Sequence, residues 1–200
     1  GKGFTPSRGE AFPFFALFTQ AADGTKTARV LEGPIEEFQY EGSHGCAVPN
    51  DNLPRFARGV FGAAYPFGQV LLSDEAIPVE AQIQAFNPLV PADPEASGLP
   101  VAVMRYTLRN KTNQPLQASV CASLPNFIGV DGWETTKDWK GDLVATGAKQ
   151  NRNQFRQGKN IQGIFMDSAG VDPQHAAWGT IALTVPANES VTYRTDWTPD

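Results

Sequence analysis

The sequence is poor in the residues that most often carry metal ions or nucleophilic chemistry. Two cysteines and two histidines occur among its 200 residues. His44 and His175 stand apart, with neither an HxH nor an HxxxH spacing, so we predict no zinc site and expect no metal or cofactor. Cys46 and Cys121 are far apart in the sequence and do not identify a redox compartment. We expect both thiols to be structural and unpaired.

Motifs for other common chemistries are equally scarce. His44 lies two residues from Cys46, as in a Cys–His nucleophile pair, but the surrounding sequence offers no recognisable oxyanion hole or orienting group. A loop histidine and a structural cysteine are therefore the favoured interpretation. Asp93 and Glu95 lack the twelve-residue pattern of a calcium loop, and the glycine-containing N-terminus lacks the GK[ST] of a phosphate loop. No catalytic residue is predicted from local motifs.

A net positive charge and long apolar runs are also missing. The formal net charge is −5 and the isoelectric point is about 5.1, which argues against a phosphate-binding surface and hence against nucleic acid as a partner. No apolar stretch approaches the roughly 20 residues that a membrane-spanning helix requires. The N-terminus has no apolar core of a signal peptide, and the compartment is left open.

The sequence is rich in glycine, proline and phenylalanine, with 19, 16 and 13 residues respectively. Together with short apolar runs, this composition is typical of many strands joined by turns. The clearest alternation lies in 79–85, where every second residue is apolar and the residues between are glutamate or glutamine. We predict a mainly antiparallel β-sandwich, with a single sandwich domain or domain fragment over residues 1–200.

Further patterns predict particular elements. Asp23-Gly24 is a turn signal between two apolar runs, and period-two runs over 101–109 and 116–124 predict an antiparallel hairpin. The side chains expected to face the core in that hairpin are Ala102, Met104, Tyr106, Leu108, Leu116, Ala118 and Val120. Residues 41–59 are typical of a long loop, and 190–197 alternate as a final strand.

Residues 125–160 lack a clean period and are predicted to form a long loop, which in a compact domain is usually functional or docked. The candidate site within it consists of Asp131, Trp133, Asp138 and Trp139. Aromatic faces beside acidic hydrogen-bond acceptors can hold a sugar. Alternatively, the two tryptophans anchor the loop on a sheet or a neighbouring domain, as large amphipathic aromatics often do at interfaces.

The most specific stretch of the chain contains turn and strand chemistry and no catalytic group. The phrases "PVEAQIQAFNP", "LVPADPEASGLP", "VAVMRYTLRN" and "SLPN" follow one another, with "KGFTPS" and "FFAL" near the start. Their order and spacing resemble the N-terminal domain of glycoside hydrolase family 116, in a bacterial-type relative. This is the family of bile-acid β-glucosidase, also called non-lysosomal glucosylceramidase. The resemblance is most specific over about residues 61–130.

The resemblance implies a role without catalysis for this chain. In the family, the nucleophile and the acid/base carboxylate lie in a C-terminal (α/α)6-barrel, so no catalytic residue is assigned here. The implied parent is a retaining β-glucosidase, whose two carboxylates lie roughly 5–5.5 Å apart. The implied partners are that barrel and, through it, a β-glucoside.

We therefore expect an inactive N-terminal part of such an enzyme, either an excised piece or a divergent arrangement of the domain, that packs on the barrel and shapes its entrance. A free-standing carbohydrate-binding module and a structural or adhesive sandwich are the alternatives. The module predicts sugar binding by the isolated chain, centred on Trp133 and Trp139. The structural sandwich predicts neither sugar affinity nor a partner barrel.

Overall fold

The computed structural model describes most of the chain, with the backbone alone for 135–137 and 143–145. The described residues are 13–40, 46, 48, 50–129, 135–137, 143–145 and 150–195. The chain divides into two compact units, Phe14–Ser123 and Leu124–Asp200 together with Gly1–Pro13. Each unit has its own sheets, and the prediction of one sandwich domain over 1–200 stays a prediction.

The first unit contains seven antiparallel strands among its described residues. The strands are β1 (Phe14–Ala21), β2 (Lys26–Val30), β3 (Arg58–Ala64), β4 (Phe67–Ser73), β5 (Val79–Phe86), β6 (Val103–Asn110) and β7 (Leu116–Ser123). Two helical turns accompany them, a 3-10 helix at Glu37–Tyr40 and α1 at Pro94–Ser97. One sheet has the order β2-β1-β7 and the other β3-β4-β5-β6. Both sheets contribute to one core, which confirms the predicted all-β sandwich.

The core lies where the apolar faces of these two sheets meet. Its buried members are Leu17, Leu31, Phe56, Leu72, Ile77, Val79, Ala81 and Ile83. At its margin the ring of Phe15 on β1 lies 5.3 Å from the ring of Tyr106 on β6, so aromatic contact also joins the two sheets. Removing apolar surface from water contributes about 25 cal/mol per Å², and this is the main favourable term in folding.

Strand β5 confirms the alternation seen at 79–85. Val79, Ala81 and Ile83 are buried, and the side chains between them belong to the opposite face. Because the side-chain period of a strand is two residues, a shift of one residue would turn the whole apolar set toward solvent. The register is fixed on both sides, since Ile83 lies opposite Val70 on β4 and Tyr106 on β6.

The turn predicted at Asp23-Gly24 is confirmed. Strands β1 and β2 pair around it, and Gly24 has a φ of +87°, a conformation that favours glycine. The backbone N–H of Thr25 donates to the Asp23 carboxylate at 2.9 Å. This hydrogen bond to the charged form lowers the pKa of Asp23 below its ordinary value.

The hairpin predicted over 101–124 is wrong in its pairing. Strand β6 pairs with β5 and β7 pairs with β1, so the connection at 111–115 crosses from one sheet to the other. Alternation specifies which face of a strand is apolar and does not name the neighbouring strand. Hydrogen bonds within the connection stabilise this crossing. Asn110 accepts from the backbone N–H of Thr112 and donates from Nδ2 to the Gln114 carbonyl at 2.8 Å.

Part of the expected core face is open to solvent as a result. Tyr106, Leu108 and Leu116 pack at the margin of the core, as predicted. The members that are exposed instead are Ala102, Met104, Ala118 and Val120. Strands β6 and β7 stand at the edges of their sheets among the described residues, so these side chains have fewer neighbours to cover them.

The segment predicted as a loop over 41–59 contributes to the core. Phe56 is among the most buried side chains of the unit, and β3 starts before the segment ends. The backbone N–H of Phe56 donates to the Glu32 carbonyl at 3.1 Å, and the Arg55 guanidinium is paired with the Glu32 side chain. Prolines and asparagines indicate an irregular backbone, but they carry no information on such tertiary contacts.

The second unit contains five strands among its described residues. These are β8 (Thr135–Lys137), β9 (Leu143–Ala145), β10 (Asn151–Gln157), β11 (Ile161–Ser168) and β12 (Ile181–Pro186). Strand β8 pairs with β9, and β11 lies between β10 and β12, all antiparallel. The prediction of an uninterrupted loop over 125–160 is therefore wrong. The final strand predicted over 190–197 is wrong for 190–195, which are irregular.

Strand β10 is hidden from hydrophobic periodicity because its less exposed face is mostly polar. Asn151, Asn153 and Phe155 are half-buried, and the residues between them are exposed. Asn153 donates from Nδ2 to the Thr195 carbonyl at 2.8 Å, so a hydrogen bond takes the place of apolar contact. A buried amide requires such a partner, and the partner is visible only in the fold.

Leu72→Ala is expected to destabilise the first unit strongly. Leu72 is 2% exposed in the core, and truncating such a leucine typically costs about 2–5 kcal/mol. Val60→Ala on the neighbouring strand is the matched control, since Val60 is 63% exposed and surface changes usually stay within about 0.5 kcal/mol. Denaturant unfolding of both variants measures the difference. Equal losses would contradict this assignment of the core.

Candidate functional site

The four site residues predicted from the sequence, Asp131, Trp133, Asp138 and Trp139, lie outside the described residues. Their role in sugar or interface contact therefore stays a prediction. The described chain immediately before them ends at Gly129, and it belongs to a surface that can be characterised in detail.

A shallow groove of about 380 Å³ is formed in the second unit. Its lining residues are Phe127, Ile128, Ala176, Ala177, Trp178, Gly179, Thr180 and Ile181. Ile128 is buried, whereas Phe127 and Trp178 are 50% and 49% exposed, so both offer aromatic surface to solvent. A volume of this order is at the small end of the range for ligand pockets.

Asparagine side chains hold one side of the groove in place. Asn126 donates from Nδ2 to the Asp167 carbonyl at 2.9 Å and to Oδ1 of Asn153 at 3.0 Å. Asn151 donates in turn to the carbonyls of Asn126 and Ile128, at 3.1 and 3.3 Å. The segment that precedes the predicted site is thus attached to β10 and β11 through side-chain amides.

The other side of the groove is a capped turn. Asp172 accepts from the backbone N–H of Gln174 at 2.8 Å, and the N–H of Ala177 donates to Nδ1 of His175 at 3.0 Å. The N–H of Gly129 donates to the Ala177 carbonyl at 3.2 Å, which joins the two sides. His175 therefore has a local structural role, in keeping with its isolation in the sequence.

A second exposed apolar surface lies in the first unit, on the loop 87–102 that connects β5 to β6; we call it the apolar loop. Its exposed apolar side chains are Leu89, Val90, Leu99 and Val101. The loop is closed on itself, since the Ser97 hydroxyl accepts from the Val90 N–H and donates to the Val90 carbonyl, both at 3.0 Å. Asp93 caps α1 by accepting from the Ala96 N–H at 2.9 Å.

Several charged side chains of the described residues form ion pairs. Among the described residues no group of three or more His, Cys, Asp or Glu side chains could hold a metal ion. Their ion pairs each join one carboxylate to one arginine. Cys46 is half-buried, and His44 lies outside the described residues, so the interpretation of this pair stays a prediction.

Nor does the described part of the chain contain a helix of the length and apolar character needed to cross a bilayer.

The best-defined ion pair of the second unit joins Arg152 on β10 to Asp167 on β11. Nε and Nη2 of the guanidinium donate to Oδ1 and Oδ2 at 2.9 and 2.7 Å. These side-chain hydrogen bonds lower the pKa of Asp167 and raise the pKa of Arg152. The pair also connects the strand that carries Asn151 and Asn153 to its neighbour.

Asp167→Asn is expected to lower stability at neutral pH and to have no effect in strong acid. Because the pKa of Asp167 in the folded state lies below its ordinary value of 3.8, the pair stabilises the fold above that value. This contribution disappears as the pH falls through the lower, folded-state pKa. The effect is small because the pair is exposed to solvent. Thermal melts of wild type and variant should converge in acid, and a constant difference would contradict the assignment.

Sequence reasoning missed both exposed surfaces. Phe127 and Trp178 come together only through the fold, and neither lies in a motif. The apolar loop did carry a signal. Leu89, Leu99 and Val101 stand in a proline-rich connection without a strand face on which to pack, and apolar side chains left in this way point to a contact surface.

Comparison with known families identifies the family to which the chain belongs. The family model for the N-terminal domain of glycosyl-hydrolase family 116, described as beta-glucosidase 2, matches residues 8–200. Among curated proteins, none matches the chain significantly. The family match extends well beyond the segment 61–130 and includes the strands of both units. The chain therefore belongs to the family of glycosyl-hydrolase family 116 N-terminal domains.

Proposed function

We propose that this chain is the non-catalytic N-terminal part of a retaining β-glucosidase and that it packs on the catalytic domain of the same protein. Membership of an N-terminal domain family implies a larger protein with a catalytic domain. The parent reaction in this proposal is retaining hydrolysis of a β-glucosidic bond by two carboxylates of the barrel. A glucosylceramide substrate is the more specific form of the proposal.

The observation that carries the proposal is the apolar loop. Leu99 and Val101 are 54% and 47% exposed, and Leu89 and Val90 in the same loop are exposed as well. Clusters of exposed apolar side chains mark sites of protein contact, because their hydration is unfavourable. Contacts between domains of one chain bury surfaces of this mixed apolar and polar kind.

The segment that contains Trp133 and Trp139 has a second part in the proposal. It follows Gly129 of the groove in the sequence and includes the paired strands β8 and β9. Connecting segments attached to a rigid scaffold often carry functional side chains. We assign its tryptophans to contact with the barrel or with the substrate, where Asp131 and Asp138 supply hydrogen-bond acceptors. In this role the segment helps to shape the substrate entrance.

A free-standing carbohydrate-binding module is the second candidate function. The half-exposed rings of Phe127 and Trp178 favour it, because aromatic faces can pack against the C–H face of a sugar. This candidate predicts sugar binding by the chain without a catalytic domain.

Leu99→Ser combined with Val101→Ser is expected to weaken domain packing in the full-length parent. Burying a valine or leucine side chain contributes about 1.5–3 kcal/mol, so losing two should lower the melting temperature and increase cleavage between the domains. Val185→Ser on β12 is the matched control, a partly exposed valine outside the apolar loop. Calorimetry and limited proteolysis measure both effects.

The isolated 200-residue chain provides the second control, because the two serines should leave its melting temperature nearly unchanged. If the full-length variant and the Val185→Ser variant behave alike, the apolar loop is not the docking surface.

Trp133→Ala with Trp139→Ala in the full-length parent tests the entrance role through hydrolysis of an aryl β-glucoside. A selective rise in KM supports contact with the substrate, because it reports lost binding without lost chemistry. Lower stability with unchanged kcat/KM per folded enzyme supports contact with the barrel instead. Wild-type stability and kinetics together would show that the tryptophans have neither role.

A further inference from the structure

The outer face of the four-stranded sheet, which points away from the core, carries side chains in ordered rows. One row, which we call the amide row, consists of Gln69 on β4, Gln84 on β5 and Arg105 on β6, aligned by strand register. The next row, the aromatic row, is Phe67, Phe86 and Val103 on the same three strands. The rows are two residues apart along each strand, or roughly 7 Å.

Hydrogen bonds fix the positions of the side-chain amides on this face. Oε1 of Gln69 accepts from Nε2 of Gln82 at 2.6 Å and from Nε2 of Gln84 at 3.2 Å. The carbonyl oxygens of Gln82 and Gln84 then remain as acceptors, while Nε2 of Gln69 and the Arg105 guanidinium remain as donors. The face therefore presents donors and acceptors side by side.

The aromatic row is accessible next to these amides. The ring centroids of Phe67 and Phe86 lie 5.6 Å apart at an angle of 52°, and Phe67 is 58% exposed. On the adjoining strand β3, Gly62 and Ala64 occupy the ends of the two rows. A Cβ added at Gly62 would meet no atom within 4 Å, so open space borders Gln69.

Stability alone does not account for this arrangement. Hydrogen bonds between exposed amides replace hydrogen bonds to water, and their net contribution is only about 0.5–1.5 kcal/mol. Phenylalanine rings left beside them in solvent are unfavourable. A ligand that both forms hydrogen bonds and packs on aromatic rings would contact the amides and the phenylalanines together.

We propose that the amide row and the aromatic row together bind a neutral, hydroxyl-rich sugar chain. A sugar hydroxyl both donates and accepts, which matches the mixed groups of Gln69, Gln84 and Arg105. An anion would require donors alone, and an apolar partner would leave the amides without hydrogen bonds at a cost. The C–H face of a pyranose ring packs on Phe67 and Phe86. This function goes beyond the proposed domain packing and does not rest on it.

The test is a titration of the full 200-residue chain with cellotetraose, monitored by NMR through the backbone amide chemical shifts. Saturable shifts are expected at 67–69, 84–86 and Arg105. Gln84→Ala and Arg105→Ala should each weaken binding about 2- to 12-fold, as expected for one lost hydrogen bond to the sugar, while the spectrum stays that of a folded chain. Arg109→Ala is the matched control, because Arg109 lies on the same face of β6 but is paired with Glu80.

Gly62→Tyr adds a test that depends on space rather than on hydrogen bonds. Its ring would occupy the open space beside Gln69, so binding should be lost while the spectrum stays folded. The proposal is overturned if cellotetraose produces no saturable shifts in the wild-type chain. It is also overturned if the shifts are confined to the groove of Phe127 and Trp178, or if the folded variants bind as the wild type does.

Discussion

Apolar contact between two sheets is the constraint on which the first unit depends. Leu17 from one sheet and Leu72 and Ile83 from the other meet in one core, and each strand can supply only the residues of one face. The register of β4, β5 and β6 follows from this requirement, since a slip of one residue would exchange core and solvent faces. The rows of side chains on the outer face are a consequence of the same register.

The sequence predicted the local conformation of strands and turns better than it predicted which strands pair with each other. Strand β5 and the turn at Asp23-Gly24 follow from alternation and turn chemistry, which act within a few residues. The crossing at 111–115 does not, because the choice between a hairpin and a crossing depends on which sheet has a free edge. Strand β10 is not predicted from the sequence. Asn151 and Asn153 on its less exposed face form hydrogen bonds in place of apolar contacts, and hydrophobic periodicity does not detect hydrogen bonds.

The distinction between local sequence patterns and contacts made only in the fold also applies to function. The most specific of the phrases that resemble the family lie on the strands and turns of the first unit, so they identify a scaffold, and no catalytic residue is assigned to them. The groove of the second candidate function is assembled from distant parts of the sequence, since Phe127 and Trp178 come together only through the fold. The apolar loop, in contrast, is one continuous segment. Trp133 and Trp139 are predicted from their place beside acidic residues in an aperiodic segment, and that signal gives residue types without their partners.

The self-closed apolar loop has a thermodynamic consequence for any partner. Fixing the backbone of one residue costs about 1–2 kcal/mol of conformational entropy, and binding is weakened whenever a segment must be ordered on contact. In the apolar loop the Ser97–Val90 hydrogen bonds and the Asp93 cap already impose this order within the domain. A partner therefore meets a surface whose shape is set beforehand, and binding does not incur the further cost of ordering this loop.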